Sequence, residues 1–149
     1  MEIKSDEPII VVKNLTARFG SNVVFENVSF HVKKGEILVV VGESGCGKST
    51  LLKMMIGLHK PSAGSVTFQG VNIVAASEDE LNNYRQNIGV LFQSSALFSS
   101  MMLGENIALP LQEYTNLDSA MINMIIKMKL GMVNLAGYEN HYPSELSGG

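Results

Sequence analysis

The sequence predicts an α/β fold in two parts, and three observations support this. The apolar run Ile37–Val41 leads directly into a glycine-rich stretch, residues 42–50, and helical spacing of apolar residues follows it. Strand-like and helix-like segments alternate across residues 1–93. Residues 94–149 have a mostly helical pattern. We therefore expect two lobes, 1–93 and 94–149.

The glycine-rich stretch matches the phosphate-binding pattern G-x-x-x-x-G-K-[ST]. Gly42, Gly47, Lys48 and Ser49 occupy its fixed positions. Glycines let several backbone N–H groups approach a polyphosphate, and the helix that starts near Lys48 adds its free N–H groups and dipole. Lys48 would contact the β- and γ-phosphates, and Ser49 would offer a hydroxyl to Mg²⁺. The motif alone is compatible with a kinase, a GTPase or a transporter.

The composition is that of a soluble globular protein. The 149 residues are 46% hydrophobic and carry a net charge of −3, which argues against a broad nucleic-acid-binding face. One cysteine, Cys46, excludes an internal disulfide framework, and we interpret it as a small side chain that the loop tolerates. No apolar stretch reaches the roughly 20 residues that span a bilayer, and the first residues lack a signal-peptide pattern. We expect a cytoplasmic protein whose membrane association comes through a partner.

Local patterns in the first lobe predict strands before the glycine-rich stretch. Ile9–Val12 is typical of a strand, residues 20–22 of a turn, and alternating Val28, Phe30 and Val32 of a half-buried strand. Ile37–Val41 does not alternate, as expected for a central parallel strand covered on both faces.

After the glycine-rich stretch, the predicted elements are a helix that ends at Gly57 and a strand that contains Val66 and Phe68. Residues 77–80 have the form of a capping box and predict a helix through Gln86. Ile88–Phe92 is a second candidate for a buried strand.

Two helices are predicted in the second lobe. The first spans Glu105–Leu109 and is ended by Pro110. The second is capped by Asp118 or Ser119 and runs to Met132. Its apolar stripe, which favours core packing over a docking surface, consists of Met121, Ile125, Met128 and Met132, widened by Ile122 and Ile126.

Two further segments carry a family resemblance. Leu91–Phe98 (LFQSSALF) resembles the Q-loop of ABC-type ATPases, and Tyr142–Gly149 (YPSELSGG) resembles their signature motif. In this order after the phosphate loop, they make the whole chain similar to that family. The resemblance implies a P-loop NTPase fold of ABC type: an N-terminal antiparallel β subdomain, part of a RecA-like core and part of a helical subdomain, incomplete at the C-terminus.

The resemblance also implies an ATP site. Phe19 would stack on adenine beside Val24, and Gln93 would join Ser49 on Mg²⁺ and orient the attacking water, so Gln93 and Lys48 are the candidate catalytic residues. Ser147, Gly148 and Gly149 would contact the nucleotide of a second subunit in a head-to-tail dimer. The residues expected to hold this chain's own ATP are Phe19, Val24, Gly42, Glu43, Ser44, Gly45, Cys46, Gly47, Lys48, Ser49 and Thr50.

A finer similarity concerns one branch of the family. The LFQSSALFSSM run, Glu105–Leu111, Met128–Leu130 and PSELSGG are similar to MlaF-type ATPases of MCE-associated phospholipid transport. This implies an integral membrane permease (MlaE-like), an MCE protein (MlaD-like) and a STAS-domain protein (MlaB-like) as partners. The expected location is the inner face of the cytoplasmic membrane, reached through the permease.

The sequence departs from the family pattern at its end. It stops at Gly149, before the family's Walker B strand, catalytic Glu, D-loop and switch His, and His141 is interpreted as a surface loop residue. The family's remaining strands would flank Ile37–Val41 and Ile88–Phe92. We therefore expect the N-terminal part of a longer ATPase, which would hydrolyse ATP only when complete.

Two other functions remain open. If 149 residues are the whole protein, it would be a nucleotide-binding module that does not hydrolyse ATP. The second alternative is a non-transport ABC ATPase of DNA repair or translation. The negative charge of the chain disfavours this function.

Overall fold

The structure is a computed structural model that describes residues 7–93 and 96–146. Its contacts divide the chain into two compact units, Met1–Gly89 and Val90–Gly149. Each unit has its own hydrophobic cluster.

A four-stranded antiparallel sheet forms the framework of the first unit. Its spatial order is β2-β1-β3-β4. The β1–β2 hairpin turns through Gly20 and Ser21 and pairs Phe19 with Asn22, which confirms the predicted turn. The strands are β1 (Pro8–Phe19), β2 (Asn22–Lys33), β3 (Ala63–Phe68) and β4 (Val71–Asn72).

Two helices contribute to the core of the first unit. These are α1 (Lys48–Met55) and α2 (Glu78–Gln86), and α2 has the predicted bounds. The predicted capping box is confirmed: Ser77 accepts a hydrogen bond from the N–H of Glu80, and the Glu80 carboxylate accepts one from the N–H of Ser77. The core combines residues of the sheet, of both helices and of the turn after β4: Val12, Leu15, Ala17, Leu51, Met54, Val66, Ile73, Leu81 and Tyr84.

The second unit is helical. It contains α3 (Leu103–Tyr114), α4 (Ser119–Met132) and a 3-10 turn at Pro143–Glu145. Asp118 caps α4 by accepting a hydrogen bond from the N–H of Met121 at 2.8 Å, as predicted. The buried residues of its core are Leu103, Ala108, Ile122, Ile126 and Leu130.

The two predicted parallel strands do not form. Neither Ile37–Val41 nor Ile88–Phe92 belongs to a strand, and Ile37, Val41 and Leu91 are 84–89% exposed. A parallel strand needs neighbours that supply its hydrogen bonds and cover its faces. The four strands of the described chain pair only with one another, so neither run has the strand neighbours that it needs.

The predicted end of a helix at Pro110 is also wrong. Helix α3 continues through this residue to Tyr114. Proline costs the helix one N–H donor and crowds the preceding turn. Ile107, Ala108 and Leu111 lie on both sides of Pro110 and pack into the core of the second unit, which offsets that cost.

The core-packing prediction for α4 is correct for Ile122 and Ile126, whereas Ile125 is only half-buried and the methionines are exposed. Ile122 and Ile126 are buried, whereas Met121, Met128 and Met132 are more than half exposed. The buried residues of α4 are Ile122, Ile126 and Leu130, which recur every four positions. The helix therefore turns this face to the core, and the methionine stripe lies beside it. Within the described part of the chain, no helix is long and apolar enough to cross a membrane.

Candidate nucleotide site

Gly47 of the phosphate-binding loop lies where a side chain would clash with a neighbouring strand. Gly47 has φ +100°, and a Cβ atom there would lie 2.6 Å from Val24 Cγ1 and 3.0 Å from Phe25 Cδ1. Left-handed backbone favours glycine, and the approach of β2 leaves no room for a side chain. The second fixed glycine of the motif is therefore explained by tertiary contact as well as by loop geometry.

Lys48 folds back into the loop. Its ammonium group donates to the carbonyl oxygens of Gly42 at 2.8 Å and Glu43 at 2.7 Å, and lies 3.6 Å from Cys46 Sγ. This places a mobile positive charge inside the curve of the loop, where a phosphate group would enter.

The first turn of α1 offers backbone donors. Among the described residues, no side chain caps this helix, and its first internal hydrogen bond runs from the N–H of Leu51 to the carbonyl of Gly47 at 2.9 Å. The N–H groups before Leu51 have no partner within a helix, and they stand at the positive end of its dipole. The hydroxyl-bearing Ser49 is exposed in this same turn.

A bulge in β2 directs Val24 toward the loop. Ala17 pairs with Phe25 and Arg18 with Val23, so Val24 is the extra residue between two pairs. Bulges re-aim a side chain and increase local twist. The Val24 side chain consequently lies against Gly47.

Phe19 ends β1 and is 52% exposed as a residue. It meets His59 edge to face, with ring centroids 6.2 Å apart and an interplanar angle of 78°. The half-exposed ring has surface left for a stacked base, which stays a prediction. Sequence reasoning missed His59, because nothing in its neighbourhood along the chain indicates that it lies beside Phe19.

Helix α2 supports the far end of α1. The Tyr84 hydroxyl donates to the Met55 carbonyl at 2.7 Å, and the Arg85 guanidinium donates to the Gly57 carbonyl at 2.9 Å. Burial raises the pKa of Tyr84, so this phenol remains a donor across the physiological pH range. The Ser77 hydrogen bonds lower the pKa of Glu80 and keep the α2 cap charged.

The expected site residues beyond the first unit lie in the second unit or outside the described chain. Gln93 is exposed in a turn. Ser147, Gly148 and Gly149, as well as Ser94 and Ser95, lie outside the described residues. Their roles stay predictions. Within residues 7–93 and 96–146, no cluster of three or more His, Cys, Asp or Glu could hold a metal ion.

These features define a nucleotide-binding cassette, and comparison with known proteins agrees. The family model described as "ABC transporter" matches residues 25–149. The chain belongs to this ATP-binding cassette family, as its motifs predicted.

Two groups of curated relatives are similar to the chain. The intermembrane phospholipid transport ATP-binding protein MlaF of Haemophilus influenzae is 43% identical over 97% of this chain and 54% of its own length. MlaF of Escherichia coli K12 is 38% identical over 95% of this chain and 52% of its own. The probable ribonucleotide transport ATP-binding protein mkl of Mycobacterium leprae is 45% identical over 94% of this chain and 40% of its own length. The chain therefore spans about half the length of these relatives.

Solved structures show the same fold. A dimeric ATP-binding cassette in a post-hydrolysis state, bound to ADP and Pi, superposes with a TM-score of 0.83. It is 30% identical and matches 93% of this chain and 63% of its own length. The predicted fold class is confirmed for the part of the cassette that this chain covers.

Proposed function

We propose that this chain binds the phosphates of ATP and forms part of an ATPase that drives an ABC transporter. The observation that carries the proposal is the position of the Lys48 ammonium group inside the loop, held by the carbonyls of Gly42 and Glu43. The uncapped first turn of α1 adds backbone donors to the same place. Together they offer a full positive charge and several N–H groups to one polyphosphate.

The loop also fits a nucleotide-bound Mg²⁺. Mg²⁺ is held by few protein ligands together with phosphate oxygens, so it does not need a cluster of carboxylates. The exposed hydroxyl of Ser49, at the start of α1, would be one ligand, and Gln93 would be the other. Bound there, the ion would neutralise charge that develops on the phosphoryl oxygens.

Hydrolysis belongs to the complete ATPase. Lys48 would stabilise charge on the transferred phosphoryl group, and Gln93 would orient the attacking water. Ser147, Gly148 and Gly149 would close on the nucleotide of a second subunit, which the dimeric state of the similar cassette supports. The exposed runs Ile37–Val41 and Ile88–Phe92 support further strands in the complete protein.

The transported substrate is inferred from similarity alone. The MlaF relatives favour phospholipid, with MlaE-like, MlaD-like and MlaB-like partners and a location on the inner face of the cytoplasmic membrane. The similarity to mkl, a probable ribonucleotide transporter subunit, favours a second candidate. Phospholipid and ribonucleotides added separately to the reconstituted ATPase and permease would distinguish them, because only the transported class should stimulate hydrolysis.

Loss of the Lys48 charge tests nucleotide binding. The complete ATPase should gain roughly 2.7 kcal/mol of stability at 100 times the Kd for ATP. We expect Lys48→Ala to abolish the ATP-induced rise in Tm measured by thermal shift. Lys53→Ala, in the last turn of the same helix, is the matched control and should keep it. An unchanged rise in Lys48→Ala would refute the assigned role.

A further inference from the structure

The turn after α1 carries a histidine that contacts the ring expected to stack on adenine. The His59 ring stands nearly perpendicular to the Phe19 ring, with centroids 6.2 Å apart and an interplanar angle of 78°. This edge-to-face geometry is a favourable arrangement of two aromatic rings. Both residues are exposed, so the pair lies at the surface, where a ligand can reach it.

Hydrogen bonds fix the start of this turn to α1 and α2. The N–H groups of Leu58 and His59 both donate to the carbonyl of Lys53, at 2.8 and 3.2 Å. Gly57 has φ +72°, and its carbonyl accepts a hydrogen bond from the Arg85 guanidinium at 2.9 Å. A left-handed glycine followed by bonds back to the last helical carbonyls is a common helix end. The backbone of His59 is therefore held relative to α1.

The other end of the turn is fixed to β1, the strand that ends at Phe19. The N–H of Ser62 donates to the carbonyl of Thr16 at 2.8 Å. The Ser62 hydroxyl accepts a hydrogen bond from the N–H of Arg18 at 3.0 Å. The turn therefore has one anchor on α1 and another on β1, and the second anchor adjoins Phe19 in the chain.

These contacts link the two ends of the nucleotide site. Helix α1 begins at the phosphate loop with Lys48 and ends just before the turn that carries His59. One helix thus has the phosphate donors at its start and the contact to the base-stacking ring beyond its end. A free ring at the end of a strand would lose rotational freedom when a base stacks on it, and this loss weakens binding. A ring that is already held loses less.

We propose that His59 is a positioning residue, which holds the Phe19 ring in the orientation that stacks on the adenine of ATP. It acts through the Phe19 ring, not by contact with the phosphates. The ligand class it serves is therefore a nucleotide with an aromatic base, because a polyphosphate without a base has nothing to stack on Phe19. The proposal rests on the proposed function, since Phe19 acquires its role from it.

His59→Ala in the complete ATPase tests this role. We expect the Kd for ATP to rise by about threefold to tenfold, which corresponds to the strength of an aromatic pair. The Kd for tripolyphosphate, which has neither base nor ribose, should not change. Isothermal titration calorimetry in the presence of Mg²⁺ measures both constants. A merely structural role of His59 would weaken the binding of both ligands or of neither, and either result would overturn the proposal.

His31→Ala is the matched control, because His31 is also exposed but lies on β2, where it pairs with Val11, away from Phe19. Both of its Kd values should equal those of the wild type. His59→Phe keeps a ring at the contact and should keep the wild-type affinity for ATP. His59→Gln keeps polar groups without a ring and should resemble His59→Ala. The opposite order would indicate a direct hydrogen bond from His59 to the nucleotide and would overturn the proposal.

A double-mutant cycle with Phe19→Ala provides an independent arm. Phe19→Ala should itself raise the Kd for ATP, and adding His59→Ala should raise it no further, because the ring that His59 positions is gone. Additive effects of the two substitutions would contradict the proposal. An unchanged Kd in Phe19→Ala would also overturn it and would leave phosphate binding intact. Failure of the proposed function looks different, because the wild-type ATPase would then bind neither ATP nor tripolyphosphate.

Discussion

The β1–β2 hairpin and the run Ile37–Val41 are both apolar and β-prone, yet only the hairpin forms strands. In β1, Leu15 and Ala17 are fully buried, whereas Ile37 and Val41 are 89% and 84% exposed. The hairpin partners are joined by a two-residue turn, so pairing costs little loop entropy. No described strand pairs with Ile37–Val41. Apolar composition therefore specifies that a segment is suited to a sheet, and the available partners decide whether it joins one.

The largest effect on stability is expected for a buried residue of the hairpin. Leu15→Ala removes a side chain that is 0% exposed in the core of the first unit. We expect it to lower the free energy of unfolding of this chain by about 2–5 kcal/mol. Chemical denaturation followed by circular dichroism measures the change.

Leu91→Ala is the matched substitution in an exposed run, since Leu91 is 88% exposed. It should change the same free energy by less than about 0.5 kcal/mol. In the complete ATPase we expect Leu91→Ala to become destabilising as well, because strands would then cover it. Equal effects of the two substitutions in this chain would contradict the comparison.

A smaller effect is expected where the hairpin contacts the phosphate loop. Gly47→Ala combines φ +100° with a Cβ only 2.6 Å from Val24 Cγ1. The backbone strain should cost about 1–3 kcal/mol, and the displaced loop should bind ATP less tightly. Thermal shift with and without ATP measures both quantities.

Adding Val24→Ala to Gly47→Ala separates the effect of the side-chain clash from the effect of the backbone conformation. It removes the clash with Cγ1 but leaves the left-handed backbone and the 3.0 Å approach of Phe25 Cδ1. We expect partial recovery of the ATP-induced shift in the double variant. Complete recovery would show that the backbone conformation at Gly47 is unimportant.

The smallest expected effect is the pH dependence of the α2 cap. Hydrogen bonds from Ser77 lower the pKa of Glu80 below its ordinary value of 4.5. A lowered pKa stabilises the fold above that ordinary value, and this contribution is lost as the pH falls through the folded-state pKa. Glu80→Gln can still cap the helix but cannot titrate. Tm measured between pH 6 and about pH 3 should fall less steeply in this variant than in the wild type. Parallel profiles would exclude the α2 cap as a source of the pH dependence.

Local chemistry made much of the molecule predictable. The Gly20-Ser21 turn, the Ser77–Glu80 capping box and the Asp118 cap each depend on residues close together in the chain. The phosphate loop is predictable for the same reason, since its glycines, Lys48 and Ser49 occupy one continuous stretch.

The sequence by itself determined the family, the phosphate loop and the local caps, because each is encoded within a few consecutive residues. The tertiary structure alone decided that Val24 contacts Gly47, that His59 contacts Phe19 and that Gly104 contacts Glu139. It also decided that α3 continues through Pro110. The physical reason is that burial and strand pairing depend on partners distant in the chain, and no local pattern records which partners are present.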